Sequence, residues 1–236
     1  MHVVTGFDDG NPHQRASLAT PDPSPLEILN GRPSYINILD ALTAWQLVRE
    51  LRAATGKPAA ASFKHVSPAG AAVAKPLSPA LRQALMIEQD DLSPVATAYA
   101  RARGGDRMCT FGDAVAVSDT VDVSLAEVLR REVSDLIIAP AYEPQALQIL
   151  RQKKGGQYMV FRMDPSYEPP AVERRELFGL EMEQERNAAA VGPQTFSNVV
   201  VHGRPVDADI LDTLIVATIA IKYTSPTPWA WRTTAK

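Results

Sequence analysis

Between residues 34 and 163, short apolar runs bounded by turn residues alternate with stretches of helical periodicity. Few architectures accept that alternation, and an α/β layer with helices on both faces of a mostly parallel sheet is the one it predicts. Ser34 to Thr55 reads as the first helix, with Ile38, Leu42, Trp45 and Val48 on one face and Gly56 and Pro58 as the stop. Ala59 to Phe63 reads as a buried strand that leads into Lys64-His65 and a turn at Ser67-Pro68-Ala69-Gly70. Ser78-Pro79 and Ser93-Pro94 each place a capping hydroxyl before a proline, opening helices of about ten residues. Val115–Val117, Leu136–Ala139 and Tyr158–Met163 read as strands. Ser124-Leu125-Ala126-Glu127 reads as a capping box, and Pro144–Lys154 as a helix closed by Gly155-Gly156.

The flanks are less regular. Pro21, Pro23, Pro25 and Pro33 rule out a continuous helix over residues 1–33, which read as extended. After a proline-rich break at Asp164–Pro170, alternating Phe178, Leu180 and Met182 suggest a half-exposed edge strand. Ile210, Leu214, Ala217 and Ile221 define a last amphipathic helix.

Composition excludes several classes. The 236 residues carry 24 basic and 27 acidic side chains, a net charge of −3, so nothing favours nucleic acid or an anionic membrane. The single cysteine, Cys109, forms no internal disulfide and builds no structural zinc site. With no basic and apolar leader at Met1 and no apolar run long enough to span a bilayer, the chain reads as a soluble, cytosolic protein. Walker, dinucleotide-binding and zinc-deaminase motifs are absent from the sequence.

Individual polar residues leave alternatives open. Lys64 and His65 stand where a buried strand meets a turn, the end of an α/β sheet where active-site groups gather. A cation beside an imidazole suits phosphate binding, oxyanion stabilisation or proton transfer, and equally a solvated turn. Asn11-Pro12-His13-Gln14 reads on composition as a surface loop. Gly112 permits close backbone approach to a ligand or simply makes a turn. Asp135 could accept hydrogen bonds from a sugar or an amine, or cap the preceding helix region. Cys109 has no base nearby in sequence and reads as a buried or idle thiol rather than a nucleophile.

Taken in order, these segments resemble one family. Asn11-Pro12-His13-Gln14, Leu29-Asn30-Gly31, Ser34-Tyr35-Ile36-Asn37, Leu39-Asp40-Ala41 and the loop Lys64-His65-Val66-Ser67-Pro68-Ala69-Gly70 are similar to successive blocks of the AICAR formyltransferase domain of the bifunctional purine-biosynthesis enzymes (AICAR transformylase/IMP cyclohydrolase), the loop in its eukaryotic form. Arg101-Ala102-Arg103-Gly104, Asp106-Arg107-Met108, Phe111-Gly112-Asp113, Arg131-Glu132-Val133-Ser134-Asp135, Ile138-Ala139-Pro140 and Phe196-Ser197-Asn198-Val199-Val200 continue it, and Asp212 to Thr224 ends it.

The resemblance implies a cytidine-deaminase-like three-layer α/β subdomain without zinc, at residues 11–163, and a continuation toward a second subdomain at 164–224. It implies transfer of a formyl group from 10-formyltetrahydrofolate to the poorly nucleophilic amine of AICAR, in de novo purine synthesis, with no metal required. His65 would assist deprotonation, Lys64 would stabilise developing charge or manage the leaving folate nitrogen, and Gly112, Asp135 and Asn11 would contact substrate. Family active sites form between subdomains and across a homodimer, so a shorter chain is expected to lack much of the folate site and to expose apolar surface.

The sequence departs from the family pattern in three places. Phe7-Asp8-Asp9-Gly10 replaces a basic and aromatic stretch that holds the nucleotide, a change expected to weaken anion binding by about 1–3 kcal/mol. Neither the family's cyclohydrolase domain nor its second formyltransferase subdomain is represented in the sequence, which makes a truncated, catalytically inactive remnant the rival to an active enzyme. Residues 1–10 are therefore divergent, and 225–236 are expected to be a frameshifted tail. Transcript sequencing across codons 220–236 should recover the family's Asn-Ser-Val continuation in another frame, and a transcript with no such frame refutes the frameshift.

Overall fold

The computed structural model describes residues 2–7, 16–89, 91–200, 203 and 205–224, the first of these segments by backbone alone. Strand β1 (His2–Phe7) pairs antiparallel with β2 (Ala16–Thr20). Then follow β3 (Leu26–Asn30), α1 (Tyr35–Thr55), β4 (Ala59–Lys64), β5 (Ser67–Val73), α2 (Pro79–Ala84) and α3 (Pro94–Gly104). Next come β6 (Asp113–Val117), α4 (Val123–Arg131), β7 (Ser134–Ala139), α5 (Pro144–Gln152) and β8 (Met159–Met163). A hairpin of β9 (Val172–Leu177) and β10 (Leu180–Glu185) and helix α6 (Ala208–Lys222) complete the described elements.

Six strands form one sheet in the order β3-β8-β7-β6-β4-β5. Along each central strand successive side chains enter opposite cores, which is why the strands read as continuous apolar runs. Ala114, Ala116, Leu136, Ile138 and Phe161 pack with Trp45, Val48 and Leu51 of α1 and Ile215 and Ile219 of α6. Val115, Val117, Ile137, Ala139 and Val160 pack on the other face with Tyr99, Leu125, Leu129 and Leu150 of α3, α4 and α5. The result is a three-layer α/β sandwich.

The sheet is mixed rather than mostly parallel. Only β6-β7 and β7-β8 run parallel, whereas β3-β8, β4-β6 and β4-β5 are antiparallel. A two-residue connection between β4 and β5 permits nothing else. The expected turn at Ser67–Gly70 is in fact strand, with the turn at His65-Val66. Its proline is tolerated because β5 is an edge strand, and Ala69 is the extra residue of a bulge between the Ser62–Gly70 and Phe63–Pro68 pairs. Gly70 is required for packing: a Cβ there would lie 2.0 Å from the Ala102 carbonyl oxygen of α3.

Local signals at helix ends mostly coincide with the boundaries. Ser34 caps α1 in a reciprocal box with Asn37, and Gly56 closes it in the left-handed region at φ 68°. Helix α4 differs, because its cap is Asp122, whose Oδ1 accepts from Leu125 N at 2.9 Å, while Ser124 Oγ accepts from Ser93 N. Helix α2 stops after six residues. Helix α5 ends at Gln152 and passes into a 3-10 turn, Lys153–Gly156, in which Lys154 and Gly155 are left-handed. The anticipated edge strand at Phe178 is a free-standing hairpin with Phe178 and Gly179 at its turn, and both its strands are exposed. On α6 the buried residues are Ile215 and Ile219, not the Ile210/Ile221 face. Lys57 and Lys75 ion-pair with Asp212 and fix that rotation.

Beneath the carboxyl end of β4 lies a buried polar cluster. Arg103 of α3 pairs with Asp113 Oδ1 at 3.0 Å and Glu132 Oε2 at 2.9 Å, and donates to the Thr110 and Val133 carbonyls. Asp113 Oδ2 accepts from Ser62 Oγ at 2.6 Å. Burial pushes the Asp113 carboxyl up, against the pull of Arg103 and Ser62. Removing one member should therefore strand a charge: Arg103→Met should cost about 3–5 kcal/mol in urea unfolding, and adding Asp113→Asn should recover part of it.

Candidate active site

The carboxyl end of β4 delivers Lys64 and His65 at a hairpin whose two turn residues are both left-handed, His65 at φ 53° and Val66 at φ 60°. Such turns are ordinarily made by Asn-Gly, and a β-branched valine there is strained. The strain is met by one contact from the first helix. Asp40 Oδ1 accepts from Val66 N at 2.5 Å, and Asp40 is only 8% exposed. Its carboxyl is pushed up by burial, opposed by the Val66 amide and the charges of His65 and Lys64.

Lys64 crosses to the neighbouring strand. Its Nζ donates to the Phe111 carbonyl at 2.9 Å and the Gly112 carbonyl at 3.0 Å. Gly112 is left-handed at φ 70°, and a Cβ there would stand 3.0 Å from Lys64 Nζ and 3.5 Å from Asp135 Oδ2. Glycine at this position thus lets the backbone approach the ammonium closely. Asp135 stands at the start of β7 and forms an ion pair with Lys154 of the 3-10 turn. The Gly112 amide donates to the Val133 carbonyl at 3.0 Å, which locks the loop onto β7. Lys64, His65, Gly112 and Asp135, distant in sequence, therefore converge at one end of the sheet.

An open cleft of about 540 Å³, within the usual range for small-molecule sites, is lined by Lys64 and His65, while Gly112 and Asp135 stand behind Lys64 and outside its lining. One wall is Lys64, His65, Ser67, Pro68 and Ala69, and the other is Met108, Cys109 and Phe111. Met108 is 89% and Phe111 63% exposed, so this wall is apolar and uncovered. Cys109 is exposed rather than buried. Its hydrogen bond with Asp106 raises the thiol pKa, which leaves it a poor nucleophile.

Asn11 lies outside the described residues, as do residues 8–10 and the tail from 225. Among the described residues, no group of three or more His, Cys, Asp and Glu is placed to hold a metal ion, and no helix is long and apolar enough to cross a membrane. Two contributors were missed in the sequence. Asp40, Arg103 and Asp113 stand within blocks that carry the resemblance, but nothing local in the sequence pairs Arg103 with Asp113 or Asp40 with Val66.

A family model described as "AICARFT/IMPCHase bienzyme" matches residues 9–226. A bifunctional purine biosynthesis protein PurH from Cereibacter sphaeroides is 30% identical over 216 residues, which cover 89% of this chain and 37% of the relative. A PurH protein from Chloroflexus aurantiacus is 36% identical over 145 residues, covering 61% of this chain and 25% of the relative. The chain thus spans between a quarter and little more than a third of the length of the curated relatives it matches.

Replacing Gly112 by alanine forces a left-handed L-residue against Lys64. Urea titration should show a loss of about 1–2 kcal/mol. Gly105→Ala, at a helical φ of −60° with no contact closer than 3.4 Å, should cost clearly less.

Proposed function

This chain belongs to the AICARFT/IMPCHase bienzyme family, and from that premise we propose that its cleft carries AICAR formyl transfer, with 10-formyltetrahydrofolate as the donor. The observation that carries the reading is the convergence of Lys64, His65, Gly112 and Asp135 on one end of the sheet.

Each group has a part in this reading. The amine of AICAR loses its proton as it attacks, and the exposed His65 imidazole is the base within reach of the cleft. Lys64 has two N–H groups committed to the Phe111 and Gly112 carbonyls, which aim the ammonium and leave its third N–H for an oxyanion. Preorganisation of that kind costs nothing at the moment of reaction. The closely approached Gly112 backbone and the Asp135 carboxylate contact the nucleotide, and Asn11 belongs to the same proposal as a substrate contact. The folate supplies the formyl group, and the exposed Phe111 and Met108 fit its planar ring against an apolar wall. A homodimer is part of this reading, the apolar wall being the side on which further protein would close the site.

The acidic Asp8-Asp9 pair near Asn11 favours a second reading, a non-catalytic protein that binds nucleotide weakly or pairs with a full-length subunit. Formyl transfer by purified chain separates the two. Under the first reading, His65→Ala lowers turnover by about 10²–10⁴-fold and Lys64→Ala does comparable damage, with unfolding midpoints unchanged. Turnover indifferent to both substitutions overturns it. No turnover, together with AICAR binding that depends on Lys64, establishes the second.

A further inference from the structure

We propose that Asp40 is the positioning residue of this site, holding the His65-Val66 turn in its left-handed conformation through the Val66 amide. The hold on the turn stands on geometry alone, whereas its consequence for chemistry rests on the reading of Lys64 and His65 given above.

The turn is the weak point of the site. Two consecutive non-glycine residues at φ 53° and 60° are not self-supporting, and the second is β-branched. Such strain persists only where the surroundings over-determine it. The partner that does so comes from a rigid place. Asp40 lies one helical turn beyond Asn37, whose side chain accepts from Ser34 N at 2.9 Å and Ser34 Oγ at 2.7 Å, so the start of α1 is fixed by its own cap. Ala41, Ala44 and Trp45 then bury the helix against the sheet. From that anchor the carboxylate reaches the Val66 amide at 2.5 Å, 26 residues away in sequence.

The acid is also poorly explained otherwise. A carboxylate 8% exposed on an apolar helix face is unfavourable unless something needs it. Its surroundings include Lys64, His65 and Asp135, three groups of the site. Asp40 is buried and its Oδ1 is taken by the Val66 amide, so it acts through the turn rather than on a ligand.

The test uses the whole chain with Asp40→Ala, Asp40→Asn and the double variant Asp40→Ala/Val66→Gly. Backbone carbon shifts and the amide–Hα coupling of His65 report the sign of its φ, and formyl-transfer kinetics report the consequence. Asp40→Ala should move His65 off left-handed values and lower kcat about ten- to a hundredfold, with KM for AICAR within about twofold. Val66→Gly, which removes the Cβ penalty, should restore both in the double variant. Asp40→Asn keeps an accepting oxygen and should retain wild-type His65 shifts. That variant also serves if Asp40→Ala does not fold.

A left-handed His65 in Asp40→Ala, altered shifts in Asp40→Asn, or no rescue by Val66→Gly would overturn the proposal. Its failure is distinct from failure of the function. Turnover that needs Lys64 and His65 while His65 ignores Asp40 sinks only the positioning role. His65 conformation that follows Asp40 in a chain whose turnover ignores both residues sinks only the catalytic reading.

Discussion

The guanidinium of Arg103 joins parts of the chain that share no local connection. From α3 it reaches Asp113 at the start of β6, Glu132 at the end of α4, the carbonyl of Thr110 just before Phe111 and Gly112, and the carbonyl of Val133, which also accepts from the Gly112 amide. A second arginine, Arg107, holds the same Glu132 at 3.2 Å and the Leu85 carbonyl at 3.0 Å. Burying the Arg103 and Asp113 charges is costly unless they are paired, and Arg103 Nε and Asp113 Oδ1 have ion-pair contacts but no hydrogen bond. The bonds that Arg103 donates to the two carbonyls also tie down the loop that carries Phe111 and Gly112. The Lys64 ammonium rests on that loop, so its placement follows from this buried cluster.

The two faces of the sheet thus support the site differently. The α3/α4 side holds the Gly112 loop through charge, and the α1 side holds the His65-Val66 turn through one carboxylate and an apolar helix. Both meet at β4, which lies between β5 and β6. His65, Met108, Cys109 and Phe111 of the cleft are exposed and Lys64 is half-buried, while Asp40, Arg103 and Asp113 are buried. Stability and placement are supplied from below, leaving the Met108–Phe111 wall open to a ligand or to further protein.

The helices and strands were largely legible because their signals are local. Ser34, Ser78 and Ser93 cap where a hydroxyl precedes a helical run, and Gly56 stops α1 because its φ of 68° suits glycine. Strand direction was not legible. Ser67-Pro68-Ala69-Gly70 has the composition of a turn, yet it is an edge strand whose proline falls at a bulge and whose glycine admits the α3 backbone. The buried face of α6 was likewise undetermined, since Leu211, Leu214, Ile215, Val216, Ile219 and Ile221 leave apolar residues nearly all round, and the Asp212 ion pairs chose the rotation.

By itself the sequence determined the three-layer α/β class, the order of most elements and, through the resemblance carried by Lys64-His65 and its companion blocks, the family. These depend on periodicity, capping and residue identity, which act over a few positions. Tertiary structure alone decided which distant residues would meet at one end of the sheet. Lys64 meets Gly112 across a strand pair, Asp135 faces Lys154 across a left-handed turn, and Asp40 reaches Val66 from another layer. Each of those contacts is short and directional, and each exists only because the packed sheet has already set the separation of the elements that bear it.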